Sequence, residues 1–205
     1  MNNKKITIFV SKISGGGAER SAVNVANYIA TQGYNIDLIS VKKNKDKKIL
    51  DSRINYISLN CSRLIFSLPQ LIFYIYKNNN KDLHLVPFLN GNNVISIFLK
   101  LIFRKFNLTC TIHNPVLSHF NFTTFKDKII ILILLFFKYV PDKYITCSYF
   151  IKKELIQNYG FSQKNIKHVY NPLDFSKLKE KSKQKNNFLS KYKKNNKIII
   201  SIGRL

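Results

Sequence analysis

Short apolar runs alternate with longer segments of helical periodicity along the chain. The runs are rich in Ile, Val, Phe and Tyr and are bounded by turn residues, as buried strands are. They predict strands at residues 6–10, 36–41, 54–57, 83–86, 108–112, 142–148 (including the strand's exit) and 166–169. Because strands and helices alternate, we predict an α/β fold, a three-layer αβα domain with a mainly parallel sheet.

The segments between the strands carry apolar residues at helical spacing. They predict crossover helices at residues 22–29, 64–76 and 151–159. Between the fourth and fifth strands, Asn92 or Asn93 is the predicted N-cap of a further helix. The apolar face of that helix comprises residues three or four positions apart, namely Val94, Ile97, Phe98, Leu101 and Ile102.

A run of nine apolar residues, 129–137, lies between Lys128 and Lys138. It is about half as long as a membrane-spanning helix. We predict a buried helix of the domain. The alternative is an interfacial helix that dips into a bilayer surface, because lysines flank the run.

Three consecutive glycines, Gly15, Gly16 and Gly17, lie between the first predicted strand and the first predicted helix. A turn without Cβ atoms lets a ligand approach the backbone, and the free N–H groups of the following helix attract an anion. We therefore predict that this loop binds a phosphate or a sugar hydroxyl; the alternative is a turn that needs glycine only for its dihedral angles. The loop is neither a P-loop nor a dinucleotide fingerprint, because no Gly-Lys-Ser/Thr follows and the spacing differs from G-x-G-x-x-G.

Other polar residues lie at the carboxyl ends of the predicted strands. Asn90 follows the fourth strand, and His113 and Asn114 follow the fifth. The ligand crevice of an open α/β sheet lies off these ends, so the glycine loop, Asn90 and His113 are expected at one rim. A histidine with a pKa of about 6.5 can orient or partly deprotonate a hydroxyl group. From the residues alone, a hydrogen-bonded loop residue is the favoured interpretation of His113, and Asn90 fits a turn residue equally well.

Glu19 and Arg20 fall in the first turn of the first predicted helix. They can bind substrate or form an ion pair with each other. A carboxylate near a helix start is already stabilised by the helix dipole, so a structural role is favoured for Glu19.

The amino-acid composition indicates which binding partners and which cellular compartment to expect for the protein. The chain is 45% hydrophobic, which argues against disorder. The net charge of +24 attracts nucleic acid, anionic lipid or phosphorylated substrates, although abundant Lys, Asn and Ile are also what AT-rich coding produces. Cys61, Cys110 and Cys147 form no C-x-x-C, and no signal-peptide run precedes the first strand. We therefore expect neither a disulfide framework nor a zinc site, and a reduced cytoplasmic setting.

Six motifs in order resemble those of family-4-type retaining glycosyltransferases with the GT-B fold. Residues 16–20 read Gly-Gly-Ala-Glu-Arg, residues 111–114 fit Thr-x-His-Asn, and Pro141 replaces the family's Ala in the motif at 141–148. The other three lie at residues 88–90, 171–174 and 201–205. The resemblance covers nearly the entire chain. It implies a Rossmann-like acceptor domain, the N-terminal half of a GT-B enzyme of surface polysaccharide biosynthesis that transfers a sugar from a nucleotide-sugar to a glycan or lipid-linked acceptor.

The resemblance also implies roles for individual residues. It favours His113 as a catalytic residue on the acceptor side and Arg204 as a contact of the donor diphosphate. The residues implied to bind substrate are Gly15, Gly16, Gly17, Arg20, Asn90 and Asn114. The sequence contains no D-x-D-type carboxylate pair for a metal, so we expect a metal-independent mechanism, with the nucleotide-sugar as substrate and no cofactor.

The character of the sequence changes after residue 176. Residues 177–197 carry nine lysines and one acid and predict a linker, and residues 198–205 predict the first strand of a donor-binding domain. Residues 1–176 then form the acceptor-binding domain. In the family, one lysine and a pair of glutamates, all located beyond the position of Arg204, complete the donor site. We therefore expect the donor domain to be missing or supplied in trans, and this chain alone to be inactive.

Two other function classes are open. One is a basic module that docks on an anionic membrane or nucleic acid without catalysis; the other, a nicotinamide-dependent oxidoreductase, is disfavoured by the glycine spacing. No nucleic acid is expected as a partner, because aromatic residues are not interleaved with the lysines as in single-strand binders. The lysine excess, including residues 42–48, predicts peripheral attachment to the inner face of an anionic membrane.

Overall fold

One parallel sheet organises the protein. The computed structural model describes residues 4–43, 49–117, 124–173 and 175–183. In these ranges seven strands pair in the order β3-β2-β1-β4-β5-β6-β7, and every neighbouring pair is parallel. The strands are β1 (Lys5–Val10), β2 (Asn35–Ser40), β3 (Asn55–Ser58), β4 (Leu83–Pro87), β5 (Asn107–Ile112), β6 (Lys143–Thr146) and β7 (Ile166–His168). The predicted α/β fold with a parallel sheet is confirmed, whereas the strand predicted at 198–205 lies outside the described residues.

Six helices are described. They are α1 (Gly17–Thr31), α2 (Leu68–Asn78), α3 (Asn90–Ile102), α4 (Phe125–Phe136), α5 (Tyr149–Tyr159) and α6 (Phe175–Ser182), with short 3₁₀ turns at Leu64–Ser67 and Gln163–Asn165. The chain divides into two compact units, Met1–Pro172 and Leu173–Leu205. The whole sheet belongs to the first unit and α6 to the second. The predicted limits of the acceptor domain and of the linker remain predictions.

Alternation along β1 shows how the helices cover the sheet. Ile8 and Val10 pack in one buried cluster with α1, whereas Phe9 packs in a second cluster with α2, α3, α4 and α5. Successive side chains of a strand point to opposite faces of the sheet. Helix α1 therefore covers one face, and helices α2, α3, α4 and α5 cover the other face. This is the predicted three-layer arrangement.

The start of α3 differs from its prediction. The helix begins at Asn90 with Leu89 as N-cap, so neither Asn92 nor Asn93 caps it. Both asparagines are fully buried in the first turn. The predicted apolar face is also only partly right, because Val94 and Ile97 are buried, but the remaining three positions are exposed: Phe98, Leu101 and Ile102. The reason is that α3 turns its asparagines inward, where Asn92 bonds the carbonyl oxygen of Phe88 just after β4 and Asn93 bonds that of Thr111 in β5, and the apolar periodicity does not report such bonds.

Helix α4 is longer than predicted and is buried on one side only. It begins at Phe125, after Thr124, whose Oγ1 accepts a hydrogen bond from the N–H of Asp127. Ile131 and Leu134 are buried, but the helix also has an exposed apolar side: Phe125, Ile129, Leu132 and Phe136. The prediction of a buried helix is therefore wrong for this side. Among the helices of the described ranges, none is long and apolar enough to span a bilayer.

Candidate active site

The predicted site residues meet where the connections of the sheet diverge. From β1 the chain passes through α1 to β2 on one side, whereas β4, the other neighbour of β1, leads through α3 to β5 on the opposite side. Open α/β sheets form their ligand crevice at such a switch point, beyond the carboxyl ends of the strands. The glycine loop leaves β1, Asn90 follows β4, and His113 and Asn114 follow β5. The structure thus brings these segments to one rim.

The glycine loop has a backbone that suits an anion. Gly15 has a φ of +127°, and a Cβ atom there would lie 2.6 Å from Cε and 2.7 Å from Nζ of Lys12. The Lys12 side chain is therefore folded against the loop, which sequence reasoning did not predict. Gly16 is the N-cap of α1 and has no side chain to accept the amides of the first turn, and the space around Gly17 is open. An ammonium group and the positive end of a helix lie together here.

Glu19 and Arg20 lie in different environments. Glu19 is only 8% exposed, whereas Arg20 is exposed to solvent. In the described ranges these two side chains form no ion pair with each other, so that interpretation of the pair is wrong. The negative charge of Glu19 acts instead on His113: burial lowers the pKa of that imidazole, and the charge of Glu19 offsets part of the lowering. Glu19 is therefore part of the electrostatic environment of the site.

His113 is held in one orientation and one tautomer. Its ring stacks on Phe88, with centroids 5.3 Å apart, and its Nε2 lies 3.1 Å from Oγ1 of Thr111. The Thr111 hydroxyl donates its hydrogen to the carbonyl oxygen of Pro87 at 2.8 Å, so it can only accept from the imidazole. Nε2 therefore carries the ring proton, and Nδ1 has a free lone pair. In the described part of the chain this buried Nδ1 has no hydrogen-bond partner.

The charge state of His113 follows from its burial. Burial lowers its pKa, and the charge of Glu19 opposes that effect. Because the lowering is the net result, the imidazole is neutral near pH 7. A neutral ring with an unprotonated Nδ1 can accept a hydrogen bond or a proton from a hydroxyl group.

A cavity of about 190 Å³ opens beside His113. Its wall includes the side chains of Asn90 and Asn114 and, from α4, Asp127 and Ile130. Leu89, at its edge, has a φ of +78°, a costly conformation for a residue with a side chain. The cavity offers two amides, a carboxylate and an imidazole as polar partners.

Two buried asparagines hold the rim together. Nδ2 of Asn92 donates to the carbonyl oxygen of Phe88 at 2.6 Å, and its Oδ1 accepts from Ser11 at 3.4 Å. Nδ2 of Asn93 donates to the carbonyl oxygen of Thr111 at 2.8 Å. They link the exits of β1, β4 and β5. Sequence reasoning missed this role; the available signal was a polar pair directly before an apolar helical segment.

Glu154 anchors the segment that follows His113. This buried carboxylate of α5 accepts hydrogen bonds from the N–H groups of Val116 and Leu117, both at 2.9 Å. Sequence reasoning missed Glu154 as well. The signal was its position between Ile151 and Leu155, on the buried side of the helix.

The segment after β7 is attached to α1. Oγ of Ser21 donates to Oδ1 of Asn171 at 3.0 Å, and Nδ2 of Asn24 donates to the carbonyl oxygen of Pro172 at 3.1 Å. Arg204, the implied donor contact, lies outside the described residues. Where residues are described, no group of three or more His, Cys, Asp or Glu side chains is placed to hold a metal ion.

Comparisons with known proteins agree with this architecture. An uncharacterized glycosyltransferase of Haemophilus influenzae is 32% identical over 98% of the chain and 54% of its own length. The N-acetylgalactosamine-N,N'-diacetylbacillosaminyl-diphospho-undecaprenol 4-alpha-N-acetylgalactosaminyltransferase of Campylobacter jejuni is 26% identical over 98% of the chain and 55% of its own length. The chain thus spans about half the length of the curated relatives it matches.

A solved structure shows the same fold. HepE of Anabaena, crystallised with UDP and glucose, superposes with a TM-score of 0.60 at 16% identity, covering 87% of this chain and 50% of that one. The predicted Rossmann-like domain of a GT-B glycosyltransferase is confirmed. The model of Glycosyltransferase Family 4 matches residues 15–177. Because this match includes most of the chain, the chain belongs to glycosyltransferase family 4.

Proposed function

We propose that this chain is the acceptor-side part of a retaining, metal-independent glycosyltransferase of surface polysaccharide biosynthesis. It transfers a sugar from a nucleotide-sugar to a glycan or lipid-linked acceptor. The observation that carries the proposal is the neutral His113, with an unpartnered Nδ1, at the same rim as the open N-terminus of α1. A base for the acceptor and a site for the leaving diphosphate are the two requirements of glycosyl transfer.

The glycine loop serves the donor side. Transfer breaks the bond between the anomeric carbon and the diphosphate oxygen, which leaves negative charge on the diphosphate. The amides of Gly16 and Gly17 and the ammonium of Lys12 provide fixed positive charge, with Arg20 exposed one turn further on. A protein of the same fold, HepE, was crystallised with UDP and glucose, which supports a nucleotide-sugar as the donor.

The cavity beside His113 serves the acceptor side. The amides of Asn90 and Asn114 orient the acceptor's hydroxyl groups, and Nδ1 of His113 accepts the hydrogen of the attacking hydroxyl. The acceptor oxygen then bonds to the anomeric carbon on the face from which the diphosphate departs, which keeps the anomeric configuration. A lipid-linked acceptor is favoured because the Campylobacter relative is named for a diphospho-undecaprenol substrate.

Activity assays test the proposal. The chain is incubated, alone and with a family donor domain in trans, with a panel of nucleotide-sugars and lipid-linked acceptors, and released nucleotide is measured. Activity is expected only with the donor domain, is expected to persist in EDTA, and is expected to give a product that keeps the donor's anomeric configuration. His113→Gln should lower turnover at least ~100-fold, the usual range for a general base.

His84→Gln is the matched control, because His84 is a half-buried histidine within β4 rather than at the rim. Equal turnover in His113→Gln and His84→Gln would remove His113 from the mechanism. Nucleotide binding that is unaffected by Lys12→Ala would remove the glycine loop from the donor site.

A further inference from the structure

The exposed side of α4 is an apolar stripe. Phe125 and Phe136 are each 79% exposed and Leu132 is 54% exposed, with Ile129 between them. These positions follow one another at intervals of three or four residues, so they line one side of the helix. Large apolar side chains in such a row are unusual on a free surface and mark an interaction site.

Helix α3 extends this stripe into a continuous surface. Phe98 of α3 contacts the ring of Phe137 at 5.8 Å between centroids, and Phe137 contacts Phe136 at 4.9 Å. Leu101 and Ile102 of α3 are exposed beside Phe98. We call this surface the α3–α4 face, and it comprises Phe98, Leu101, Ile102, Phe125, Ile129, Leu132 and Phe136.

The surroundings of the α3–α4 face are basic. Residues 90–117 and 124–142 contain six Lys or Arg side chains and two acidic residues, Asp127 and Asp142, the second of which pairs with Lys100 at 3.0 Å. Arg104 and Lys105, directly after α3, and Lys126, in the first turn of α4, are exposed. The Asp127 carboxylate accepts a hydrogen bond from the Thr124 hydroxyl at 2.8 Å, within the N-terminal cap of α4. The net field around the face is therefore positive.

We propose that the α3–α4 face docks on the surface of an anionic lipid bilayer. Helices with an apolar side and flanking lysines lie in the plane of the interface, with the apolar side chains among the upper acyl carbons. The exposed cations then lie at the level of the negative head groups. A second copy of the chain is a poorer partner, because two proteins of net charge +24 would bring like charges together around the contact. The face consists of Phe, Leu and Ile side chains, which offer no polar groups to nucleic acid.

The face begins beside the candidate active site. Asp127 and Ile130 of α4 line the cavity that contains His113, and Phe125 and Ile129 are their neighbours on the exposed side. Docking would bring the mouth of this cavity close to the head groups, which suits delivery of a lipid-linked acceptor. The delivery of a lipid-linked acceptor rests on the proposed function. The docking itself does not, and vesicle binding is measured without any transfer reaction.

A single tryptophan reports the contact directly, because the natural chain has none. In Phe136→Trp, vesicles of mixed phosphatidylglycerol and phosphatidylcholine should shift the emission to shorter wavelength, and brominated acyl chains should quench it. Tyr28→Trp is the matched control, since Tyr28 is 65% exposed on α1, at the opposite face of the sheet. Its emission should change little. Equal shifts at both positions, or none at Phe136→Trp, would overturn the proposal.

Affinity measurements separate the apolar and charged contributions. Leu132→Ser with Phe136→Ser should weaken vesicle cosedimentation about tenfold or more, because two inserted side chains are lost. Arg104→Gln and Lys105→Gln should each weaken it about fivefold and reduce its salt dependence. Tyr28→Ser should have no effect, and circular dichroism should show that all variants are folded. Equal binding to neutral and anionic vesicles, or a dimer in sedimentation that Leu132→Ser abolishes, would show a different use of this face.

Discussion

Nε2 of His113 lies 3.1 Å from Oγ1 of Thr111, and the Thr111 hydroxyl donates its own hydrogen to the carbonyl oxygen of Pro87. The imidazole must therefore donate to the threonine. This relationship leaves the buried Nδ1 without a proton, so Nδ1 is the ring nitrogen that can act as a base.

The tautomer is the first prediction. In ¹⁵N spectra at neutral pH, His113 should appear as the Nε2–H form, and Thr111→Val should give a mixture of tautomers because the acceptor of the ring proton is lost. The substitution also removes the hydrogen bond to the Pro87 carbonyl, which should lower the free energy of unfolding by about 1 kcal/mol. Thr109→Val, two residues earlier on β5, is the control. A single unchanged tautomer in Thr111→Val would contradict this assignment.

The pH dependence of stability is the second prediction. Because burial lowers the pKa of His113 in the folded state, the unfolded chain binds more protons below about pH 6.5. Stability is therefore complete above that pH and is lost as the pH falls through the lower, folded pKa. One such group changes the free energy of unfolding by at most about 1.4 kcal/mol per pH unit. Denaturation of His113→Gln should show a flatter acid limb than the wild type.

His84 must be separated from this effect. Burial also lowers the pKa of His84, so His84→Gln should remove its own share of the acid limb. The NMR titration of each imidazole identifies the contributor. A folded-state pKa of His113 at or above about 6.5 would contradict the prediction.

Glu154 provides the third prediction. Its carboxylate accepts two backbone N–H groups, whereas the amide of Glu154→Gln presents one acceptor oxygen and one donor. We expect a loss of about 2 kcal/mol in the free energy of unfolding. Hydrogen exchange at Val116 and Leu117 should become faster. Glu180→Gln, on an exposed residue of α6, should change stability by less than about 0.5 kcal/mol.

The glycine loop provides the fourth prediction. Gly15→Ala places a Cβ against Lys12 at a positive φ and should destabilise the protein by about 1–3 kcal/mol. Gly17→Ala, which meets nothing within 4 Å, should be neutral or slightly stabilising. Combining Gly15→Ala with Lys12→Ala should recover only the part that comes from the contact. Equal stability of Gly15→Ala and Gly17→Ala by chemical denaturation would contradict the conformation assigned to the loop.

The periodicity of apolar residues and the positions of turn residues were enough to predict the strands, the parallel sheet and the rim at the carboxyl ends of its strands. Alternating strands and helices admit few topologies, and the carboxyl ends of parallel strands share one edge. The position of Asn90, His113 and the glycine loop at that edge followed from local order alone. The family motifs added the class of enzyme.

Only the tertiary structure decided the chemistry of that rim. Glu154 meets Val116 across 38 positions of sequence, and Asn93 meets Thr111 across 18. The same holds for exposure, because apolar periodicity shows that a helix has an apolar side but not which neighbour covers it. Phe98 and Phe136 are as apolar as the core residues, yet they are exposed because α3 and α4 turn other sides to the sheet. A pattern read along the chain reports local periodicity, whereas burial and hydrogen-bond partners depend on segments that folding alone brings together.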